Sequence, residues 1–171
     1  MRNAAKSTAS DVKTAKVVRT ALLAFLSVIG FDFFLHAGVL ASLYAAPSPF
    51  LLSSDKSFRL IPLGYLSFLI LVGLLTWLML KLNLAGWKAG TIFGLKVGAL
   101  IWGALTIGLF SVSTASPVLL LGWFSGQTIE LGIAGMVLGS GLETSRLRSL
   151  SVKVIIFVFI MVVLSIIFQN T

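Results

Sequence analysis

Five runs of mainly apolar residues, each close to or above the length a helix needs to cross a bilayer, occupy most of this 171-residue chain. A crossing takes about 20 such residues. In hydrocarbon each backbone polar group must find its partner inside the segment, so runs of this kind fold as helices. The spans expected are 18–45, 61–82, 87–112, 117–142 and 152–168. The expected fold class is therefore all-α: a polytopic transmembrane bundle of five spans, with a four-helix core and a peripheral fifth helix. Residues 18–168 form one domain behind a polar, basic tail at 1–17. Composition agrees, since 58% of residues are hydrophobic and 11% charged, which excludes a soluble domain and a disordered chain. The absence of cysteine excludes disulfides, thiolate metal sites and cysteine nucleophiles.

The formal charge of +8 is distributed by the membrane rather than by a nucleic acid. Arg2, Lys6, Lys13, Lys16 and Arg19 lie in the tail or open the first span. Lys81 and Lys88 flank the link between spans two and three, and Arg146, Arg148 and Lys153 flank the link between four and five. Five spans place all of these on one side, against Lys56 and Arg59 on the other. The positive-inside rule then puts the N-terminus in the cytoplasm and the C-terminus outside, in a cell (inner) membrane. The partners implied are the lipid bilayer and anionic headgroups at the cytoplasmic face. A cleaved signal fits poorly, because the apolar run is long, holds Asp32 and His36, and ends at Tyr44-Ala45-Ala46 without a small-x-small site. An organelle presequence is opposed only by Asp11.

The few ionisable groups inside the spans are the candidate site. A charge at mid-bilayer costs roughly 2.5–3.5 kcal/mol on insertion scales, so such groups should face one another, water or a ligand. Asp32 and Glu130 sit near the middle of spans one and four, and Lys96 about a turn to the cytoplasmic side of the centre of span three. His36 is one turn outward from Asp32 on the same face, and Gln127 one turn outward from Glu130. The economical arrangement packs spans one, three and four together with Lys96 between the two carboxylates. Two carboxylates against one ammonium leave an excess negative charge unless a proton or a cation is bound, which is how proton and coupling-ion sites in transporters are made. The same residues can equally be interhelical glue. A lone histidine supports neither a bis-histidine haem nor, without cysteines, a zinc site. No hydrolase elbow, phosphate loop or paired metal motif is present, so no cofactor, no metal and no enzyme activity are expected.

Gly86, Gly90, Gly94 and Gly98 recur every fourth residue as a stripe suited to close helix packing, and span four carries Gly122, Gly126, Gly135 and Gly139. The stripe can meet another helix of the chain or a second copy. Lys96 lies about 200° around the helix from Gly94, which points it away from the stripe. Pro47 and Pro49 should end the first helix, and Ser54 or Ser57 should start the next, with Pro62 in its first turn or kinking it. The loop between them serves as a lid or as an interfacial connector. Ser116 and Pro117 read as the cap and first position of span four. Trp77, Trp87, Tyr44, Phe50 and Phe58 fit an interfacial belt, while Trp123 shares a face with Gln127 and Glu130 and either walls a cavity or packs a helix.

The stretch from Phe31 to Gly141 resembles a group of small bacterial multi-pass membrane proteins with no assigned activity. The matching features are an aspartate in the outer part of the first span, a loop, and a third span reading Ala89-Gly90-Thr91-Ile92-Phe93-Gly94. An apolar-Trp-Gly turn follows, then a polar residue in the span after a short Ser/Thr-Pro link. The resemblance implies a compact four-helix core and no known chemistry; the fifth span and the basic tail depart from it. Two functions are expected from the residues: a proton/cation- or small-solute-binding carrier, as a homodimer, or an accessory subunit held to a larger membrane complex through the glycine stripe and basic face.

Overall fold

The computed structural model describes residues 2–46 and 48–170, with only the backbone of residues 2–12 and 54. Pro47 and the side chains of Arg2, Lys6 and Asp11 lie outside the described residues. The chain is helical: α1 (Arg2–Phe33) runs into a π-helical segment (Phe34–Val39), followed by the short α2 (Ala41–Ala45), α3 (Ser54–Lys81), α4 (Trp87–Val112), α5 (Pro117–Glu143) and α6 (Leu147–Gln169). Five stretches are long and apolar enough to cross a membrane, at Lys13–Val39, Asp55–Lys81, Trp87–Val112, Pro117–Glu143 and Leu147–Gln169.

Three boundaries differ from the sequence reading. The first apolar run is not one regular helix. The Leu40 amide reaches back to the Leu35 carbonyl at 2.8 Å, a π-type bond, and Leu40 itself leaves helical geometry with φ −97° and ψ 3°. Second, α3 starts at Ser54, one of the two starts expected for it but ahead of the span expected from 61, and Pro62 lies inside the helix, beyond its first turn. Third, α6 starts at Leu147, ahead of its apolar run. Pro117 does occupy the start of α5, but the Ser116 side chain makes no capping bond there.

The glycine stripe settles how the helices pack. It lies against α5, backbone to backbone: a Cβ on Gly90 would strike the Gly135 carbonyl, and one on Gly94 the Leu131 carbonyl. One on Gly98 would sit 2.9 Å from the Thr128 Cα. The relation is reciprocal, since a Cβ on Gly135 or Gly139 would strike the carbonyl of Gly90 or Gly86. At the end of this seam the Gly86 amide donates to the Gly139 carbonyl at 2.9 Å, from a backbone at φ +91° that glycine alone adopts easily. Such approach brings Cα–H groups against carbonyls, a weak attraction repeated along the seam. The stripe is thus consumed inside the chain, and the expectation that it is a contact for a partner subunit is corrected.

The opposite side of α5 packs antiparallel on α1, with Gly141 beside Thr20, Gly126 beside Leu35 and Gly122 beside Leu40. Near the basic face α3 closes this pair into a core of Ala24, Val28, Val72, Leu75, Met79 and Leu138. α6 lies along α1 and the π segment, where Gly30 meets Val158 and Gly38 meets Ser165. Its outer side, with Ile155, Ile156 and Phe159, is exposed.

The seam makes a direct prediction. Gly94→Ala should lower stability by about 2 kcal/mol or more, because the added methyl meets backbone that cannot rotate aside. Gly108→Ala, where nothing lies within 4 Å of the new methyl, should be neutral or slightly stabilising. Reversible unfolding of both variants in detergent checks this, and equal stabilities would refute the seam.

Candidate functional site

Toward the end of the bundle away from the basic face, polar side chains of α1, the π segment, α2 and α5 meet beside a cavity that α3 also lines. His36 sits in the π segment, the kind of local widening that recurs at functional sites. Its Nε2 lies 3.2 Å from Asp32 Oδ1, one turn earlier on the same face. The break at Leu40 turns α2 back so that the Tyr44 hydroxyl lies 2.5 Å from His36 Nδ1. The Trp123 indole on α5 donates to that same hydroxyl at 2.5 Å. Gln127, one turn further along α5, places its amide nitrogen 3.0 Å from His36 Nε2 and also hydrogen-bonds Asp32.

The chemistry of these groups constrains the chain of bonds. An indole N–H can only donate, so the Tyr44 oxygen accepts from Trp123. That oxygen has a second lone pair as well as a proton, so toward His36 Nδ1 it serves as donor or as acceptor according to the imidazole tautomer. Nε2 faces both the Asp32 carboxyl and the Gln127 amide nitrogen: a proton on Nε2 serves Asp32, and a bare Nε2 accepts from Gln127. The Gln127 amide serves the same carboxylate. The contacts therefore link Trp123, Tyr44, His36 and Asp32 in sequence, with Gln127 joining from α5. No lysine or arginine among the described residues takes part in them.

This network floors a cavity of about 720 Å³. Aromatic side chains wall it, namely Phe33, Phe58, Tyr65, Phe68, Trp102 and Trp123. The loop after α2 contributes Leu51 and Leu52 to the wall, and Phe50 sets its ring 6.2 Å from that of Trp123. The loop thus forms part of the cavity and is more than a connector at the interface. Trp123 walls the cavity, one of the two places its sequence position offered, and Tyr44, read from sequence as a belt residue, joins it in the polar network.

Glu130 lies one turn below Gln127, 1% exposed, and close enough to Asp32 for their charges to interact. Neither of its carboxyl oxygens has a hydrogen-bond partner, and the Trp102 indole and Thr128 hydroxyl are likewise unmatched. Asp32, His36, Gln127 and Glu130 are therefore brought together. Lys96 is not. It is exposed on α4 with Ile92 and Leu100 beside it, and among the described residues no carboxylate lies within ion-pair distance of it. The glycine stripe supplies the physical reason. It packs α4 onto α5, the helix that carries Gln127 and Glu130, so a residue opposite the stripe faces away from them. No group of three or more metal-ligating side chains lies together among the described residues.

Two substitutions separate network from bystander. Tyr44→Phe should cost about 1–3 kcal/mol, because it removes the partner of both the Trp123 indole and His36 Nδ1. Lys96→Leu should leave the unfolding midpoint unchanged or higher, since it removes a charge from an apolar surface. Thermal unfolding in detergent, followed by tryptophan emission, reads both; a marked loss with Lys96→Leu would restore Lys96 to the cluster. No protein family, curated protein or solved structure matches the chain, which leaves the chemistry of these side chains as the guide to function.

Proposed function

We propose that this protein is a small membrane carrier whose site binds a small solute together with a proton or cation. The site is formed by Asp32, His36, Gln127 and Glu130 beneath the aromatic cavity. One observation carries the reading: a fully buried, unpartnered carboxyl at Glu130 beside a second carboxylate, with no lysine or arginine at either. An ionised carboxylate in that position is uncompensated, and its desolvation is too costly to stand alone. A proton or a cation must accompany it, and exchange of that companion is what couples such a site to transport. The asymmetry of lysine and arginine supports an inner-membrane orientation with the N-terminus in the cytoplasm, which opens the cavity outward. Five spans are few for a monomeric carrier, so a homodimer is expected.

If Glu130 holds the proton, infrared spectra of the detergent-solubilised protein will show the carbonyl stretch of a buried carboxylic acid. Glu130→Gln will remove that band, and Asp32→Asn will displace it through the lost neighbouring charge. Proteoliposomes carrying either variant should lose pH-dependent binding or flux while the protein stays folded. A spectrum without the band, or unchanged behaviour in both variants, would overturn the proton-binding reading.

A second reading, an accessory subunit of a larger membrane complex, is favoured by Lys96. An ammonium on the lipid-facing surface of α4 is more comfortable against an acidic helix of another protein than against acyl chains. Native mass spectrometry after gentle extraction distinguishes the two. A monomer or homodimer supports the carrier, whereas a partner in fixed ratio that Lys96→Leu releases supports the subunit.

A further inference from the structure

The cavity's walls and floor specify a ligand more narrowly than a small solute. We propose that it takes a lipophilic organic cation, an amine or quaternary ammonium on an apolar body, with the positive end at Asp32 and the body against the aromatic walls; this rests on the carrier reading above.

Charge is the first argument. The cavity lining includes Asp32 but neither lysine nor arginine. The groups that face Asp32 are His36 from its own helix and Gln127 and Glu130 from α5. His36 sets its two ring nitrogens against Tyr44, Asp32 and Gln127. Gln127 is an uncharged amide, and Glu130 is a second carboxyl. Among the described residues the Asp32 carboxyl thus has no lysine or arginine beside it, and it lines the cavity. A cationic ligand is the complement that this wall lacks.

The walls decide what kind of cation. A divalent metal ion wants about six oxygen ligands, and the floor offers one carboxylate oxygen pair, an amide and a phenol already engaged with Trp123 and His36. The surroundings are instead aromatic side chains, Tyr65 and Phe68 of α3, Trp102 of α4 and Trp123 of α5. Aromatic faces attract organic ammonium groups, most strongly in desolvated sites. A cavity of about 720 Å³ falls in the range of about 300–1,000 Å³ typical of organic-ligand sites. Around its mouth, Leu52, Phe58 and Ile61 are apolar and substantially exposed. A ligand with an apolar body passes such an entrance easily, and a strongly hydrated ion does not.

The test uses two probes of the same shape. Phenyltrimethylammonium and tert-butylbenzene differ essentially in charge alone. Each is titrated into the full-length protein in lipid nanodiscs, with empty nanodiscs as the partition control, and emission is followed because Trp102 and Trp123 line the cavity. Saturable binding of the cation about tenfold or more tighter than its neutral counterpart is expected. Asp32→Asn should bring the two probes level, and Asp32→Glu should restore the preference. Equal binding of both probes, a cation affinity unchanged by Asp32→Asn, or no saturable cation binding would each overturn the proposal. The comparison within the wild-type protein stands even if Asp32→Asn does not fold. The infrared band of Glu130 is read separately, so failure of the cation here leaves the proton-binding reading to its own test.

Discussion

The contact on which the rest of the molecule depends is the backbone-to-backbone seam between α4 and α5. Side-chain packing between helices tolerates some rotation, because rotamers adjust. A seam in which Gly90, Gly94 and Gly98 lie against the backbone of Leu131, Gly132 and Gly135 does not, since any turn drives a carbonyl into a Cα. The rotation of α5 is thereby set. Gln127 and Glu130 are presented to α1, and Lys96, on the far side of α4, is presented to the surroundings. Two features of the site, what it contains and what it lacks, follow from this one contact.

The second determinant is the irregularity at the end of α1. A straight helix through Ala45 would carry Tyr44 away from His36 along the axis. The π-type bond from Leu40 to Leu35 and the break that follows bring the hydroxyl back onto the imidazole. This costs regular backbone hydrogen bonding in a setting where water cannot replace it. What the irregularity supplies in return is a connected run of hydrogen-bonding groups from Trp123 to Asp32. The indole fixes the direction of the first bond, because it has no acceptor atom.

The two halves of the bundle divide the work. Toward the basic face, small and apolar side chains from α1, α3 and α5 interdigitate into a dry core. Toward the other end aromatic side chains of α3, α4 and α5 line a cavity beside the π segment, which itself stays packed on α5 through Leu35 and Gly126. The boundary between halves is where Asp32 and Glu130 lie. Asp32 lines the cavity, while Glu130 lies fully buried behind it.

Much of the architecture was legible in the sequence because it rests on local physics. Apolar length dictates helices in a bilayer, glycine every fourth residue dictates a close-packing face, and four-residue spacing puts Asp32 beside His36 on any helix. The same rules place Gln127 on a face with Glu130. Which helix the glycine face would meet is not local information, and on it turned the fate of Lys96: the sequence shows it opposite the stripe, while only the fold reveals that α5, bearing the carboxylate, lies on the stripe side. Tyr44 escaped notice for a related reason, since its approach to His36 depends on a π-helical turn that no propensity or periodicity encodes. The sequence by itself determined the helices, their faces and the depth of each ionisable group, all functions of residue spacing along one axis. The tertiary structure alone decided which faces meet, and therefore which charges are paired, which are left with a cavity, and which look outward.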